Sequence, residues 1–501
     1  MKNRIILFLL CLLPAITIKA GNGDSIFNMQ YVHTLKVTFP YPAFYDSLLW
    51  SYNNDTYLKV DIDFNSEHLS GVGIKAKGNS SFNNPSQKKS FKLDMNEFVS
   101  GLDLHGLKKL NFNNGFKDPS FLREKITNDF LRAHDLPASR VTFCNVYFNN
   151  QLWGLYAIVE EVDDEFCDHW FNNHDGNLFK GDPHGDLRWK GASTQSLYES
   201  SYELKNNSTA NNWTDLISLI DIINNTPVNT LHTALDSKLN TARFVKHWAA
   251  MDLFSSLDSY IGSGHNYYIY HDTISDRFEW IAWDNNESFG SFKNSLSEAQ
   301  LLNLDMYYLS QPTNRPLCNQ MLTNPVYHAM YNDAFCALQQ EWNNAILGPS
   351  MDSLHAKIQS SVYADTKKFY SNGAFDSSLN YTINSSGPGG IAVFGLKSFI
   401  TSRNAAIPSI LTTHGVSCFP LGLASDPVTS ELQIYPNPFQ DEIRVHAASN
   451  IHSLTLFNST GQVIWQKEIV SGHDASIPTQ TLPSGFYWVQ VDEQRPHSLI
   501  K

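Results

Sequence analysis

The stretch FEWIAWDNNESFG, residues 278–290, joins an apolar segment to a run of polar side chains. Its first half is rich in aromatic residues and predicts a buried strand. Four consecutive side chains that can coordinate a cation follow, Asp284 to Glu287. A carboxylate fixed at the end of a rigid strand suits Mg²⁺, which prefers oxygen ligands. The stretch therefore predicts a strand ending in a metal ligand, Asp284, against the alternative of an ordinary Asp-Asn turn.

The chain has 501 residues, enough for more than one domain, and 17% charged with 13% aromatic residues is a globular composition. A net charge of −13 argues against general nucleic-acid binding, which needs a basic face. Residues 1–20 have the basic start and apolar run of a secretory signal peptide, cleaved after Ala20. No later apolar run approaches 20 residues, so we expect no integral membrane segment in the mature chain.

Five cysteines remain after the predicted cleavage, and an odd number leaves at least one thiol unpaired. They are Cys144, Cys167, Cys318, Cys336 and Cys418. A local Cys318–Cys336 disulfide and a set of buried free thiols are equally good interpretations, because spacing alone does not determine the pairing.

Alternating and helical patterns predict an α+β fold. In GVGIKAKGNSSF (71–82), apolar residues occupy one face and Lys75 and Lys77 the other, and KKSFKLDM (88–95) is the expected return strand of a hairpin. Helical spacing covers 119–135. Further elements follow: a hairpin around Asn149-Asn150, helices over 214–260, 315–370 and 392–412, and strands in HNYYIYHD (265–272) and FEWIAWD (278–284).

The composition changes near residue 421. Residues 421–430 have few large apolar side chains and are interpreted as a linker. Residues 431–501 are short alternating strands separated by turns, which predicts a small, separate β-sandwich.

The C-terminal piece resembles the type IX secretion system C-terminal sorting domain of Bacteroidota. The resemblance lies in IYPNP (434–438), NSTGQVI (458–464), LPSGFYWVQV (482–491) and the terminal Lys501. It implies that the type IX machinery is a partner, that this domain is removed during export, and that the remaining protein is secreted or attached to the cell surface.

The preceding region resembles the spore coat protein H (CotH) kinase family over most of residues 30–412, and we take 24–412 as the domain. The matching stretches are KAKGNSSF with KKSFKLDM (75–95), FLREK through DDEF (121–166), GNLFKGD (176–182), DSYIGSGHNYYIYHD (258–272) and AWDNNESFG (282–290). The resemblance implies an atypical protein kinase with a divergent kinase-like fold that binds ATP and a divalent metal, Mg²⁺ or Mn²⁺.

The same resemblance assigns roles to individual positions. Asp284 matches the metal-binding Asp, and Asn266 is the candidate second ligand. Asn286 stands where the family often has a second carboxylate, and its amide adds no charge; the neighbouring Glu287 is a candidate substitute. Asp258 matches the Asp expected to orient or deprotonate the acceptor hydroxyl. Asp252 is an alternative residue for that role. Asp258 itself could instead have a purely structural role, as a residue that ends or caps a helix.

The phosphate-binding lysine is harder to choose, because several lysines share one hairpin. KKSF carries the resemblance and favours Lys89, with Lys88 and Lys77 as alternatives. A carboxylate at the end of LYAIVEE could hold that lysine. Neighbouring strand residues point to opposite sides, so only one of Glu160 and Glu161 should face the cleft, and Glu160 is preferred.

Together these features predict a secreted, CotH-like atypical kinase that transfers the γ-phosphate of ATP to Ser or Thr residues of an exported or surface protein. Such transfer needs cations around the triphosphate and a group that orients the nucleophile. The alternative is a catalytically silent CotH-fold protein with a structural or adhesive role at the cell surface, which Asn286 favours.

Overall fold

A computed structural model describes residues 22–384, 387–418, 433–437, 439–447, 450–458, 463–469, 472–483, 486–492 and 497–501. The chain divides into two compact units after Leu421. The predicted signal peptide (1–20) and linker (421–430) lie outside the described residues, as do parts of the IYPNP, NSTGQVI and LPSGFYWVQV motifs.

The first seven strands form a sheet that closes on itself into a barrel. The strands are β1 (His33–Thr38), β2 (Leu58–Phe64), β3 (Glu67–Lys77), β4 (Ser90–Asp94), β5 (Lys109–Asn113), β6 (Val141–Phe148) and β7 (Gln151–Glu160). Their order is β1-β2-β3-β4-β5-β7-β6, and the parallel pairing of β1 with β6 closes the ring. Two predicted hairpins are confirmed, β3 with β4 and β6 with β7 around Asn149-Asn150.

The alternating pattern of β3 determines which of its side chains face the barrel interior and which face outward. Val72, Ile74 and Ala76 are buried in the barrel interior, where they join an apolar cluster with Phe91 of β4. Lys75 and Lys77 fall on the outer face, and Lys75 lies opposite Lys92 of β4 in the antiparallel register. The barrel therefore presents a group of lysines on one side.

A second sheet and most of the helices form the larger core. The sheet has the order β11-β10-β8-β9. Its strands are β8 (Leu178–Lys180), β9 (Glu203–Leu204), β10 (Tyr267–Asp272) and β11 (Arg277–Ala282). The helices are α1 (Asp24–Phe27), α2 (Phe44–Asn53), α3 (Ser80–Asn83), α4 (Arg123–Ala133), α5 (Asp164–Phe171), α6 (Thr214–Asn225), α7 (Val228–Asp236), α8 (Thr241–Leu253), α9 (Glu298–Leu302), α10 (Pro316–Thr323), α11 (Pro325–Glu341), α12 (Asn344–Ala364), α13 (Asn372–Ser377) and α14 (Leu396–Thr413).

The structure pairs Cys336 with Cys418 and leaves Cys318 as a free thiol. Of the two interpretations, the local Cys318–Cys336 bridge is wrong, and buried free thiols are found at Cys144, Cys167 and Cys318. Cys318 lies fully buried in the larger apolar core, whereas Cys336 of α11 meets the segment that follows α14. The disulfide fastens the end of the first unit to α11.

The C-terminal unit contains two antiparallel sheets, as the alternating pattern predicts. One has β12 (Gln433–Tyr435), β13 (Glu442–His446) and β16 (Asp474–Pro478); the other has β14 (Ser453–Phe457), β15 (Val463–Glu468), β17 (Phe486–Val491) and β18 (His497–Ile500). Side chains from both sheets, among them Ile443, Ile477, Leu456 and Val489, share one apolar cluster. The alternating side chains of the two sheets thus build one small core.

Candidate active site

A cleft of about 730 Å³ lies between the lysine-bearing face of the barrel and the end of the β10–β11 hairpin. Seven of the eleven candidate side chains named from the sequence line it: Lys77, Glu161, Asp258, Asn266, Asp284, Asn286 and Glu287. The cleft therefore collects residues that are spread over more than two hundred positions of the chain.

The β10–β11 hairpin explains why the apolar strand ends in polar residues. Tyr267 pairs with Ala282 in the antiparallel register, so Asn266 and Asp284 both stand just beyond the paired residues at one end of the hairpin. Both have a left-handed backbone, with φ of 61° and 58°, a conformation that Asn and Asp tolerate better than most residues. The buried strands hold these two side chains at the cleft.

Asp284 is a carboxylate without a compensating partner. None of the hydrogen bonds or ion pairs found among the described residues involves its side chain. Burial raises the pKa of Asp284, and the negative charge of Asp258 acts in the same direction, while the positive charge of Lys77 opposes both. A cation placed beside Asp284 would relieve this charge imbalance.

Asp258 belongs to a small hydrogen-bonded group at the same end of the cleft. Its Oδ1 lies 3.2 Å from Nε2 of His265, and its backbone carbonyl accepts a hydrogen bond of 2.9 Å from the Asn266 amide. Nδ1 of His265 lies 3.1 Å from Oδ1 of Asn266. Burial by itself lowers the pKa of His265, but the hydrogen bond with Asp258 and its charge raise it above the usual value.

Asp252, the alternative to Asp258, lies in a different place. It is fully buried at the end of α8, and its carboxylate accepts a hydrogen bond of 2.5 Å from Tyr331. It does not line the cleft. Of the two candidates, the structure brings Asp258 to the other predicted residues.

On the barrel side, two lysines and one glutamate are connected through an amide. Nζ of Lys92 lies 2.5 Å from Oε1 of Glu161. Nζ of Lys77 donates to Oδ1 of Asn111 at 2.8 Å, and Nδ2 of Asn111 donates to Oε2 of Glu161 at 2.6 Å. Burial would raise the pKa of Glu161, but the charge of and hydrogen bond from Lys92, with the Asn111 amide, lower it to about 2.

Lys89 and Glu160, the lysine and the glutamate preferred from the sequence, do not line the cleft. Nζ of Lys89 donates to the carbonyls of Phe82 and Asn84, because the connection between β3 and β4 folds back over it. Glu160 forms an ion pair with Arg140. Only one of the two adjacent glutamates faces the cleft, as expected for neighbours that point to opposite sides of a strand. That residue is Glu161 and not the preferred Glu160.

Lys88, the remaining alternative, is also engaged elsewhere. Its Nζ lies 2.6 Å from Asp365, and both side chains are completely buried. This ion pair joins the barrel to the end of α12. Lys88 therefore has a structural role outside the cleft.

Sequence reasoning missed Glu124 as a cleft residue. It is the second residue of α4, it lines the cleft, and it accepts a hydrogen bond of 2.8 Å from Asn113. Burial and then the nearby charge of Asp284 raise the pKa of Glu124 to about 7. The available signal was the REK triplet (123–125), which lies inside a stretch that carries the family resemblance but has no pattern that points to a cleft.

Most charged groups around the cleft are already paired. The pairs are Lys75–Asp55, Lys180–Asp182, Lys205–Glu203, Lys117–Glu287 and Lys92–Glu161. Glu287, the candidate substitute ligand, is thus held by Lys117. In the part of the chain that the structure describes, Lys77 is the cleft lysine without an ion pair.

The donor set can be compared with the needs of a divalent metal. Across the described ranges, no group of three or more His, Cys, Asp or Glu side chains could hold a metal ion. Asp284 and the Asn266 amide are a smaller set of oxygen donors at one end of the hairpin. Such a set fits Mg²⁺ bound to a nucleotide, which takes one or two carboxylates and obtains its other ligands from phosphate and water.

Two family models match the chain, and both agree with the resemblances stated from the sequence. A model described as CotH kinase protein matches residues 74–386, and one described as secretion system C-terminal sorting domain matches residues 433–501. The second match indicates type IX secretion and a location at the cell surface or outside the cell. No helix among the described residues is long and apolar enough to cross a membrane.

Individual relatives are more distant. The chain is 24% identical over 242 residues to the inner spore coat protein H of Bacillus subtilis (strain 168), which covers 47% of this chain and 60% of that protein. The alignment thus spans less than two thirds of the relative. The crystal structure of a Helicobacter pylori proinflammatory kinase, CtkA, aligns with 69% of this chain and 95% of its own at 10% identity and a TM-score of 0.28.

Proposed function

The chain belongs to the CotH kinase protein family, and from that premise we propose that it is a secreted atypical kinase with a divergent kinase-like fold. It transfers the γ-phosphate of ATP to Ser or Thr hydroxyls of exported or surface proteins. The observation that carries the proposal is the gathering of Asp258, Asn266, Asp284 and Lys77 in one cleft. These side chains supply the ligand, base and cation types that phosphoryl transfer needs.

Asp284 and Asn266 would hold a Mg²⁺ or Mn²⁺ ion, because they stand together at the hairpin end and Asp284 lacks another partner. When bound, such an ion neutralises charge on the triphosphate. Asn286 also lines the cleft and offers a neutral amide oxygen. With one fewer carboxylate than the family often has, we expect metal binding to be weak without nucleotide.

Asp258 would bind the acceptor hydroxyl, orient its oxygen toward the γ-phosphorus and accept its proton. His265 and Asn266 hold Asp258 in place through contacts of 3.2 Å and 2.9 Å. Lys77 reaches the cleft from the opposite side, where its ammonium would bind phosphate oxygens. The reacting groups would therefore meet between the hairpin end and the barrel.

A second candidate function is supported by the same cleft. Asn286 lacks the charge of a carboxylate at a position where the family often has one. This feature would suit a CotH-fold protein that has lost catalysis and serves as a structural or adhesive surface protein.

The test is the thermal unfolding of the mature protein with ATP and Mg²⁺ or Mn²⁺, each alone and together. A ligand that binds only the folded state raises the melting temperature by mass action. We expect a rise that requires nucleotide and metal together, followed by transfer of labelled γ-phosphate to a Ser- or Thr-containing acceptor. A cooperative transition that neither ligand shifts would contradict the kinase and favour the silent surface protein.

A further inference from the structure

Helix α4 packs against residues 284–288, the hairpin-end segment that begins with the predicted metal ligand Asp284. Glu124, Thr127 and Asn128 have the i, i+3 and i+4 spacing that places side chains on one face of a helix. Glu124 lines the cleft, whereas the other two are buried and contact side chains of the hairpin-end segment. One face of α4 therefore meets both the cleft and this segment.

Asn128 joins the hairpin-end segment to the body of the protein. It is 2% exposed, and its Oδ1 accepts a hydrogen bond of 2.8 Å from Nδ2 of Asn285, which is buried as well. Its own Nδ2 donates to the carbonyl of Ser139 at 2.9 Å. Beside this contact, Oγ1 of Thr127 lies 2.7 Å from Oγ of Ser288. Two neighbouring side chains of one helix thus hold the segment at two points.

The chain is also fixed on the other side of Asp284. The backbone N–H of Ala282 donates to the carbonyl of Pro137 at 3.0 Å, and Ala138 forms a parallel bridge with Ala282. Asp284 itself has a left-handed backbone, a conformation that persists where the surrounding structure enforces it. None of the hydrogen bonds found among the described residues involves its side chain. The contacts of its neighbours in the chain therefore determine where this carboxylate stands.

We propose that Asn128 is a positioning residue that holds the Asp284 carboxylate where it ligates a divalent metal ion. It acts through Asn285, the residue after Asp284, and through Ser139, which continues the stretch that pairs with Ala282. The inference rests on the proposed function and adds to its metal site a residue that does not line the cleft. Its signature is a loss of metal-dependent binding on exchange of one uncharged side chain for another.

The test replaces Asn128 with Leu, a neutral side chain of similar size, in the full mature chain. Calorimetry measures binding of adenosine and of ATP with Mg²⁺. Asn128→Leu should weaken ATP with Mg²⁺ about tenfold, the lower end of what residues behind a metal ligand contribute, and leave adenosine unchanged. Equal weakening of both ligands would mean that Asn128 supports the cleft as a whole and would overturn the inference. If Asn128→Leu does not fold, Asn285→Leu replaces it, since it removes the same hydrogen bond from the other side.

Asn324→Leu is the matched control for lost stability. Asn324 is also 2% exposed and uses both ends of its amide, donating to the Val228 carbonyl at 2.7 Å and accepting from the Val326 N–H at 3.0 Å. It does not line the cleft, so its substitution should lower the melting temperature without weakening ATP with Mg²⁺. If Asn324→Leu weakens ATP as much as Asn128→Leu does, lost stability explains both results and the inference fails.

A double-mutant cycle adds a second check on the contact between the two amides. In an Asn285→Leu background, Asn128→Leu should cause no further loss of affinity for ATP with Mg²⁺, because the hydrogen bond between them is already absent. Additive losses would mean that Asn128 acts by another route and would overturn the inference.

A readout without nucleotide separates this inference from the proposed function. Hydrogen exchange followed by mass spectrometry measures how often the segment opens, because the N–H groups of Ser288 and Phe292 donate to the carbonyls of Asn285 and Glu287. In Asn128→Leu these amides should exchange severalfold faster, whereas those of β10 should not change. If the unaltered protein binds neither ATP nor metal but this acceleration occurs, the proposed function fails and the positioning of Asp284 by Asn128 stands. Unchanged exchange would overturn the role of Asn128.

Discussion

The two sides of the cleft differ in how their charges are compensated. On the hairpin side, Asp284 has no partner among the described side chains. On the barrel side, Lys75 and Lys92 are matched by carboxylates, and Lys77 alone is matched by an amide. An unpartnered charge that is partly removed from water is costly, and such groups cluster at functional sites. The comparison therefore supports the proposal that a ligand binds between Asp284 and Lys77.

The largest effect on nucleotide binding is expected from Asp284→Ala. Loss of the carboxylate should reduce metal-dependent nucleotide binding by more than about a hundredfold, since charged hydrogen-bonded contacts at a buried site are worth several kcal/mol. Stability should not fall, because the substitution removes a half-buried, unpartnered charge whose pKa is raised by desolvation. Calorimetry with ATP and Mg²⁺ and a melting curve measure the two quantities.

The control for Asp284→Ala is Asp276→Ala, at the exposed turn on the opposite end of the same hairpin. It should leave nucleotide binding unchanged. If Asp284→Ala binds ATP and Mg²⁺ as tightly as the unaltered protein, the unpartnered carboxylate has another role and the comparison between the two sides fails.

Asp258→Asn should separate binding from transfer. The amide keeps the size of the side chain, so nucleotide affinity should stay within about twofold. Phosphoryl transfer should fall by a factor of about 10² to 10⁴, the usual contribution of a general base. Single-turnover transfer of labelled phosphate measures the rate, and transfer at the unaltered rate would remove Asp258 from this role.

A pH titration sharpens the comparison at Glu124, which lies between the two sides. Its pKa of about 7, raised by burial and by the charge of Asp284, exceeds the 4.5 of an unperturbed Glu. The raised pKa means that its stabilising contribution is complete below about pH 4.5 and is lost as the pH rises through about 7. The loss is on the order of 3 kcal/mol.

Glu124→Gln should remove this pH dependence, because the amide does not titrate. Urea unfolding of both proteins from pH 5 to 8 measures the difference, which includes the response of Lys77, Asp284 and Asp118, the groups whose charges act on Glu124. If the free energy of unfolding changes with pH equally in the two proteins, Glu124 remains ionised throughout this range and its pKa is not raised.

The sequence predicts one side of the cleft better than the other for a physical reason. Asp258, Asn266 and Asp284 lie on one continuous loop and hairpin, where local strand pairing determines which side chains meet. On the barrel side, the choice between neighbours such as Glu160 and Glu161 depends on where β7 ends. Lys89 is held by carbonyls of the β3–β4 connection, and β1 pairs in parallel with β6. Both are tertiary contacts that no local sequence pattern predicts.

The smallest effect is expected where a cleft lysine already has a carboxylate. Lys75 pairs with Asp55 at 2.6 Å at the exposed rim, and exposed ion pairs contribute at most about 1 kcal/mol. Lys75→Met should therefore change ATP affinity by less than about twofold, whereas Lys77→Met, the same substitution two residues along the same strand face, should weaken it about tenfold or more. Calorimetry on the two variants compares a paired with an unpaired lysine directly. Equal losses would mean that the nucleotide responds to the total positive charge of the barrel face, and that pairing does not decide which lysine binds phosphate.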